Sequence, residues 1–128
     1  MNPQIFGLHH ITAIAGDPQR NVDFYTTVLG LRLVKQTVNF DSPETYHLYY
    51  GDDLGRPGTI LTFFPFAGAP RGQSGTGQAT AISFSVATGA LDYWAERLAR
   101  HGVTAGKPST RLDEEVLSFG DPDGLPLE

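Results

Sequence analysis

The sequence predicts an α+β domain built from two tandem βαβββ modules that form curved mixed sheets. In each half an apolar strand is followed by an amphipathic helix and then by further short strands. This order occurs twice, and a repeat of this size is a strong indication of architecture. A stretch rich in Gly, Pro and Ser separates the halves, so module one covers about residues 5–66, the linker 67–78 and module two about 79–128.

Module one begins with a predicted strand at 8–14, whose apolar residues and Thr12 favour β structure. A helix is predicted over 18–29, because Asp17 is a good N-cap and Gly30 is suited to end the helix. Alternating or aromatic-rich stretches then predict three strands, at 31–40, 46–50 and 59–66.

Module two repeats this order with weaker signals. A strand is predicted at 80–86, and an amphipathic helix over 91–101 ends at Gly102. The residues at 121–124 form a predicted turn. The remaining predicted strands are 103–107, 116–119 and 125–128.

The composition limits the function classes. Hydrophobic residues make up 40% and charged residues 18% of the 128 positions, as in an ordinary globular protein. No apolar run approaches the ~20 residues that cross a bilayer, and no secretory signal is recognisable, so a cytoplasmic protein without a membrane partner is expected. The net charge of −5 argues against nucleic acid as a partner. Without cysteine, a metal site must use His, Asp, Glu or Tyr.

Three motifs occur in an ordered arrangement along the chain. Leu8-His9-His10-Ile11-Thr12 opens the first strand, Asp23-Phe24-Tyr25 and Leu29-Gly30-Leu31 lie in and after the first helix, and Asp121-Pro122-Asp123-Gly124 precedes the last strand. Over essentially its whole length the chain resembles the vicinal oxygen chelate superfamily of glyoxalases, bleomycin-resistance proteins and extradiol dioxygenases. The resemblance implies a glyoxalase-like fold, in which paired modules curl around a divalent metal.

A narrower resemblance concerns the first module. The segments 9–12, 46–50, 57–59 and 63–65 are similar to the N-terminal half of ring-cleaving dioxygenases that open hydroquinone-type rings. Those proteins contain four modules. The resemblance implies that His10 is an iron ligand, and that a second His and a Glu come from a last module beyond these 128 residues.

Four residues are the candidate site. His10 is the first candidate metal ligand, with Fe(II) as the favoured ion and Mn(II) or Zn(II) as alternatives. Glu128 stands at the carboxylate position of the superfamily and is the second candidate ligand. His9 and Thr12 are candidate catalytic residues that would handle protons and bind a substrate oxygen. Regular alternation along the strand predicts Thr12 on the same face as His10, and His9 on the opposite face.

The favoured function is a metal-dependent, extradiol-type ring-cleaving dioxygenase, or its N-terminal half, acting on a small hydroquinone- or catechol-like aromatic. A metal-free binding protein of the bleomycin-resistance type is the alternative. A glyoxalase-type lyase is disfavoured, because Leu61 and Ala81 occupy positions where that site needs ligands. With His10 as the main ligand, little or no turnover is expected from residues 1–128 alone. An open aromatic sheet face also predicts a homodimer or larger oligomer.

Overall fold

The computed structural model describes residues 4–128, which belong to two units, Met1–Pro70 and Arg71–Glu128. Both units combine a helix with short strands, so the predicted α+β class is confirmed. Within the described range, no helix has the length and apolar character needed to span a bilayer.

The first unit contains one four-stranded sheet. Its strands are His10–Ala15 (β1), Arg32–Val38 (β2), Tyr46–Gly51 (β3) and Ile60–Pro65 (β4). They lie in the order β1-β4-β3-β2. The pair β1 and β4 is parallel, whereas β3 is antiparallel to both of its neighbours. The sheet is therefore mixed, as predicted.

The helix of the first unit changes its winding halfway along. The α-helix α1, Pro18–Asp23, begins where the Asp17 carboxylate accepts the backbone N–H of Arg20 at 2.7 Å. It continues as the π-helical segment Phe24–Val28. The predicted helix over 18–29 is thus only partly α-helical. The Thr26 hydroxyl donates to the Val22 carbonyl at 2.7 Å, a bond that competes with the regular backbone ladder.

An aromatic cluster joins this helix to the sheet. The Tyr25 ring lies 5.2 Å from the Tyr50 ring and 4.7 Å from the Phe63 ring, measured between centroids, and all three side chains are buried. The Tyr50 hydroxyl donates to Asn21 Oδ1 at 2.7 Å, also in the interior. Consequently one face of β3 and β4 is covered by the helix.

The second unit contains one helix and two short hairpin-like pairs. The helix α2 spans Leu91–Arg100. The antiparallel pairs are formed by Ser109–Arg111 (β5) with Glu114–Val116 (β6), and by Phe119–Gly120 (β7) with Pro126–Leu127 (β8).

Strand prediction was less accurate in this second unit. The predicted strand 80–86 pairs with 126–128 only from Ile82 to Phe84, through three backbone hydrogen bonds, and 103–107 forms only the bridge from Ala105 to Phe119. Pro108 follows the latter stretch and has no N–H to extend the pairing. The predicted strand 116–119 is divided between β6 and β7. The hairpin of β5 and β6 was not predicted, because its polar residues lack apolar alternation.

The predicted turn at 121–124 is confirmed. Asp121 Oδ1 accepts the N–H groups of Asp123 at 2.9 Å and Leu125 at 2.8 Å. Gly124 has φ +85°, in the left-handed region that side chains rarely adopt.

We expect Gly124→Ala to lower the free energy of unfolding by about 1 kcal/mol, because a β-carbon is strained at this φ. Gly75→Ala is the matched control, since its added β-carbon meets nothing within 4 Å and its φ lies outside the left-handed region. Urea denaturation followed by circular dichroism measures both. Equal effects of the two substitutions would contradict the assignment.

We expect Tyr50→Phe to lower the free energy of unfolding by about 1–3 kcal/mol. The change removes the partner of Asn21 Oδ1 inside the core, where Asn21 Nδ2 already has no hydrogen-bond partner among the described residues. Tyr46→Phe is the control, because Tyr46 is 46% exposed whereas Tyr50 is fully buried. A Tyr50→Phe protein as stable as the Tyr46→Phe protein in the same urea titration would refute this role.

Candidate functional site

The sheet face opposite the helix carries a separate set of side chains. Successive residues of a strand point to opposite faces. Because Tyr50 and Phe63 contact Tyr25 of the helix, their neighbours in β3 and β4 point away from it. We call this surface the histidine face and define it by His10, Thr12, His47, Tyr49 and Thr62.

His9 and His10 are in direct contact at the edge of this face. Their Nδ1 atoms lie 3.1 Å apart, so one Nδ1 carries the proton and donates it to the other. Because β1 begins at His10, the strand alternation behind the prediction of opposite faces does not extend to His9. Nε2 of His10 has no hydrogen-bond partner within residues 4–128, and the side chain is exposed.

Thr12 lies on the same face and begins a row of hydrogen bonds across three strands. Thr62 Oγ1 donates to Thr12 Oγ1 at 2.9 Å. On its other side, Thr62 Oγ1 is 3.2 Å from His47 Nε2. His47 Nδ1 in turn lies 2.9 Å from the Tyr49 hydroxyl. The register of the sheet, in which Thr62 pairs with both Thr12 and Tyr49, brings these residues together.

His47 is partly buried between two aromatic rings. Its centroid is 4.1 Å from that of Tyr49 and 4.0 Å from that of Phe64. The Lys35 ammonium lies 5.3 Å from the centroid of the Tyr49 ring. Burial lowers the pKa of His47, and the positive charges of Lys35 and His10 lower it further. The neutral imidazole is therefore the favoured form.

His47 was not identified as a site residue from the sequence. It occurs in an aromatic strand, where sheet packing is the ordinary explanation. One signal was available: alternation along β3 separates His47 and Tyr49 from Leu48 and Tyr50, which are buried. What the sequence alone does not give is the strand register that places Thr62 beside His47.

Glu128 belongs to the second unit and makes its contacts there. Its carboxylate accepts a hydrogen bond from the Ser83 hydroxyl at 2.6 Å. Arg111 pairs with both carboxylate oxygens, with Nη1 at 3.1 Å from Oε2 and Nη2 in close contact with Oε1. Hydrogen bonds from Arg111 and then from Ser83 lower the pKa of Glu128 and keep it ionised. Its assignment as a metal ligand stays a prediction.

The ligand set can be tested against the residues present. Among residues 4–128, no group of three or more His, Asp or Glu side chains could hold a metal ion. His10 fits one position of such a set. Its Nδ1 is held by His9 and its Nε2 is accessible, which is the usual arrangement of a metal-binding imidazole and its outer partner. A complete site of three protein ligands needs further donors.

Comparison with known proteins identifies the family. Residues 7–128 match the model of the Glyoxalase/Bleomycin resistance protein/Dioxygenase superfamily. The chain belongs to this superfamily, which confirms the resemblance inferred from the motifs and the glyoxalase-like fold that it implies.

Individual relatives are longer than this chain. MhqO of Bacillus subtilis, provisionally named a ring-cleaving dioxygenase, is 55% identical over 128 residues, which are 100% of this chain and 41% of MhqO. The chlorohydroquinone/hydroquinone 1,2-dioxygenase of Sphingobium indicum is 42% identical over 94% of this chain and 38% of its own. A crystal structure of a provisionally assigned B. subtilis dioxygenase superposes with TM-score 0.91 at 55% identity, covering 94% of this chain and 39% of that one. The chain thus spans about two fifths of each relative.

We expect His47 to titrate below the ordinary value of 6.5, because burial and nearby positive charge disfavour its protonated form. As the pH falls below 6.5, the unfolded chain takes up this proton before the folded chain does. The free energy of unfolding should therefore decrease with falling pH, and the His47 contribution should level off below the folded-state pKa. Nuclear magnetic resonance (NMR) of the ring C–H signals measures the pKa, and urea denaturation measures the stability.

Lys35→Gln tests the electrostatic part of this expectation. It removes one of the charges that lower the pKa of His47, so the midpoint should move towards 6.5. A His47 midpoint at or above 6.5 in the unsubstituted protein would show that the ring is not held neutral.

Proposed function

We propose that this chain is part of a metal-dependent, extradiol-type ring-cleaving dioxygenase that acts on a hydroquinone- or catechol-like aromatic. One observation carries the proposal: the accessible Nε2 of His10 lies on the same sheet face as the Thr12 hydroxyl and the closely packed rings of His47 and Phe64. The names of the MhqO and Sphingobium relatives support this choice of reaction.

Within this proposal, each residue has a defined role. His10 Nε2 is one ligand for a divalent metal, with Fe(II) favoured over Mn(II) and Zn(II). Bound there, the metal would supply a Lewis acid for the oxygen atoms of the diol and for dioxygen. His9 accepts the proton on Nδ1 of His10, which leaves the Nε2 lone pair free. Thr12 binds an oxygen atom of the substrate.

Glu128 is the second proposed ligand, and ligation would require it to exchange its contact with Arg111 for the metal. Assembly as a homodimer in the cytoplasm completes the proposal. Exposed apolar side chains such as Ile14, which is 61% exposed on β1, support association with a second chain. Sedimentation at micromolar concentration tests the dimer, and a strictly monomeric species would exclude it.

A metal-free protein that binds flat small molecules is the alternative. The closely packed rings of Tyr49, His47 and Phe64 favour it, since such a surface suits an aromatic ligand without any reaction. Loss of function on substitution of His10 separates the two, because only the dioxygenase needs a metal ligand there.

The decisive experiment is a hybrid enzyme in which this chain replaces the matching segment of the Sphingobium dioxygenase. We expect the hybrid to consume oxygen with hydroquinone, and His10→Ala to lower kcat/KM by about 100-fold or more. His101→Ala, at the exposed end of α2, is the control and should leave the rate unchanged. A folded, active hybrid that tolerates His10→Ala would overturn the proposal. The isolated chain should show little or no turnover.

A second measurement does not depend on the hybrid. Titrating the isolated chain with Mn(II) should broaden the NMR signals of His10 at lower metal concentration than those of His101, because a paramagnetic ion broadens nuclei near its binding site. The His10→Ala protein should lose this selectivity. Equal broadening of both residues would argue against a metal ligand at His10.

A further inference from the structure

The hydrogen-bonded row from Tyr49 to Thr12 has a direction that follows from counting protons. A threonine hydroxyl has one proton, and that of Thr62 is donated to Thr12. Thr62 Oγ1 must then accept from His47 Nε2, which therefore carries a proton. A neutral imidazole has only one N–H, so His47 Nδ1 accepts from the Tyr49 hydroxyl. Every proton in the row thus points from β3 towards β1.

This direction determines what Thr12 can do. Thr12 Oγ1 already accepts a proton from Thr62, so one of its lone pairs is used inside the row. Its own hydroxyl proton is directed away from Thr62, and the side chain is exposed on the histidine face. Thr12 therefore keeps its hydroxyl proton available as a donor.

We propose that His47 is a positioning residue that acts through Thr62 to hold the Thr12 hydroxyl as a hydrogen-bond donor to a phenolic oxygen of the substrate. The identity of the ligand as a phenolic substrate rests on the proposed function. The direction of the hydrogen bonds in the row does not depend on it. Neither His47 nor Thr62 was among the candidates predicted from the sequence.

The surroundings of the row keep this direction fixed. Thr62 is fully buried, so water does not replace its partners. The rings of Tyr49 and Phe64 pack on His47, at 4.1 and 4.0 Å between centroids, and restrict its rotation. A donor fixed before the ligand binds needs no reorganisation during the reaction, which is the advantage of a preorganised site.

The first test is the tautomer of His47 in this chain, measured by long-range ¹H–¹⁵N correlation NMR at pH 8. We expect the Nε2–H form. Thr62→Val removes the acceptor of that proton, so the two tautomers should become mixed, whereas Thr62→Ser keeps the hydroxyl and should retain Nε2–H. An Nδ1–H tautomer in the unsubstituted chain would mean that the row runs the other way and would overturn the proposal.

The second test measures the functional role in the hybrid enzyme. We expect Thr62→Val and His47→Phe each to lower kcat by about tenfold, as for other residues that orient a reactive group, with KM nearly unchanged. Thr62→Ser should restore the rate. The double variant should be no slower than either single variant, because both changes break the same row.

The outcomes separate the possible explanations. Variants that only lose thermal stability and keep kcat would show that the row is structural, and independent effects in the double variant would show that His47 does not act through Thr62. A folded hybrid that does not cleave the ring would refute the proposed function, and with it the proposed role of Thr12. The tautomer measurement would still decide the direction of the row.

Discussion

The packing of Tyr25 on Tyr50 and Phe63 determines which side chains of the first sheet are buried and which face away from the helix. These rings lie 5.2 and 4.7 Å from that of Tyr25, and they commit one face of β3 and β4 to the helix. Because strand side chains alternate, the same packing turns His47 and Thr62 to the other face. The same strand register therefore produces both the hydrophobic core and the polar row. A shift of one residue in that register would turn the core side chains to the open face and the polar side chains to the helix.

The two faces also differ in how their polar groups are satisfied. On the helix side, the Tyr50 hydroxyl and Asn21 Oδ1 satisfy each other in the interior, and burial together with the charge of Asp23 raises the pKa of Tyr50. This hydrogen bond contributes to stability, and the Tyr50 hydroxyl stays protonated. On the histidine face, the hydrogen bonds form an open row that ends at the exposed Thr12. A row that ends at the surface leaves one donor available to a ligand.

Sequence patterns predicted the first unit well and the second unit poorly, for a physical reason. Strands β1 to β4 are apolar or alternating in sequence. Asp17 is the N-cap of the helix, so the sequence also indicates where the helix begins. The π-helical segment escaped prediction because apolar periodicity indicates a helix without distinguishing its winding. In the second unit the strands are two or three residues long, too short for periodicity to detect. The contact of Thr12 with Thr62 joins residues 50 positions apart, so the row depends on tertiary register rather than on any local motif.

The two candidate ligands differ in the hydrogen bonds that each would have to break in order to bind a metal. His10 offers Nε2, an atom with no hydrogen-bond partner among the described residues, and His9 already holds the other nitrogen. Glu128 offers Oε2, which accepts from Arg111, while Oε1 accepts from Ser83 and Arg111. Ligation by Glu128 would separate it from Arg111, although the Arg111 side chain is 60% exposed and water could solvate the released guanidinium. Nε2 of His10 is thus accessible without rearrangement, whereas the Glu128 carboxylate is already occupied by a cation. This difference is why the proposed function starts from His10 on the histidine face rather than from Glu128.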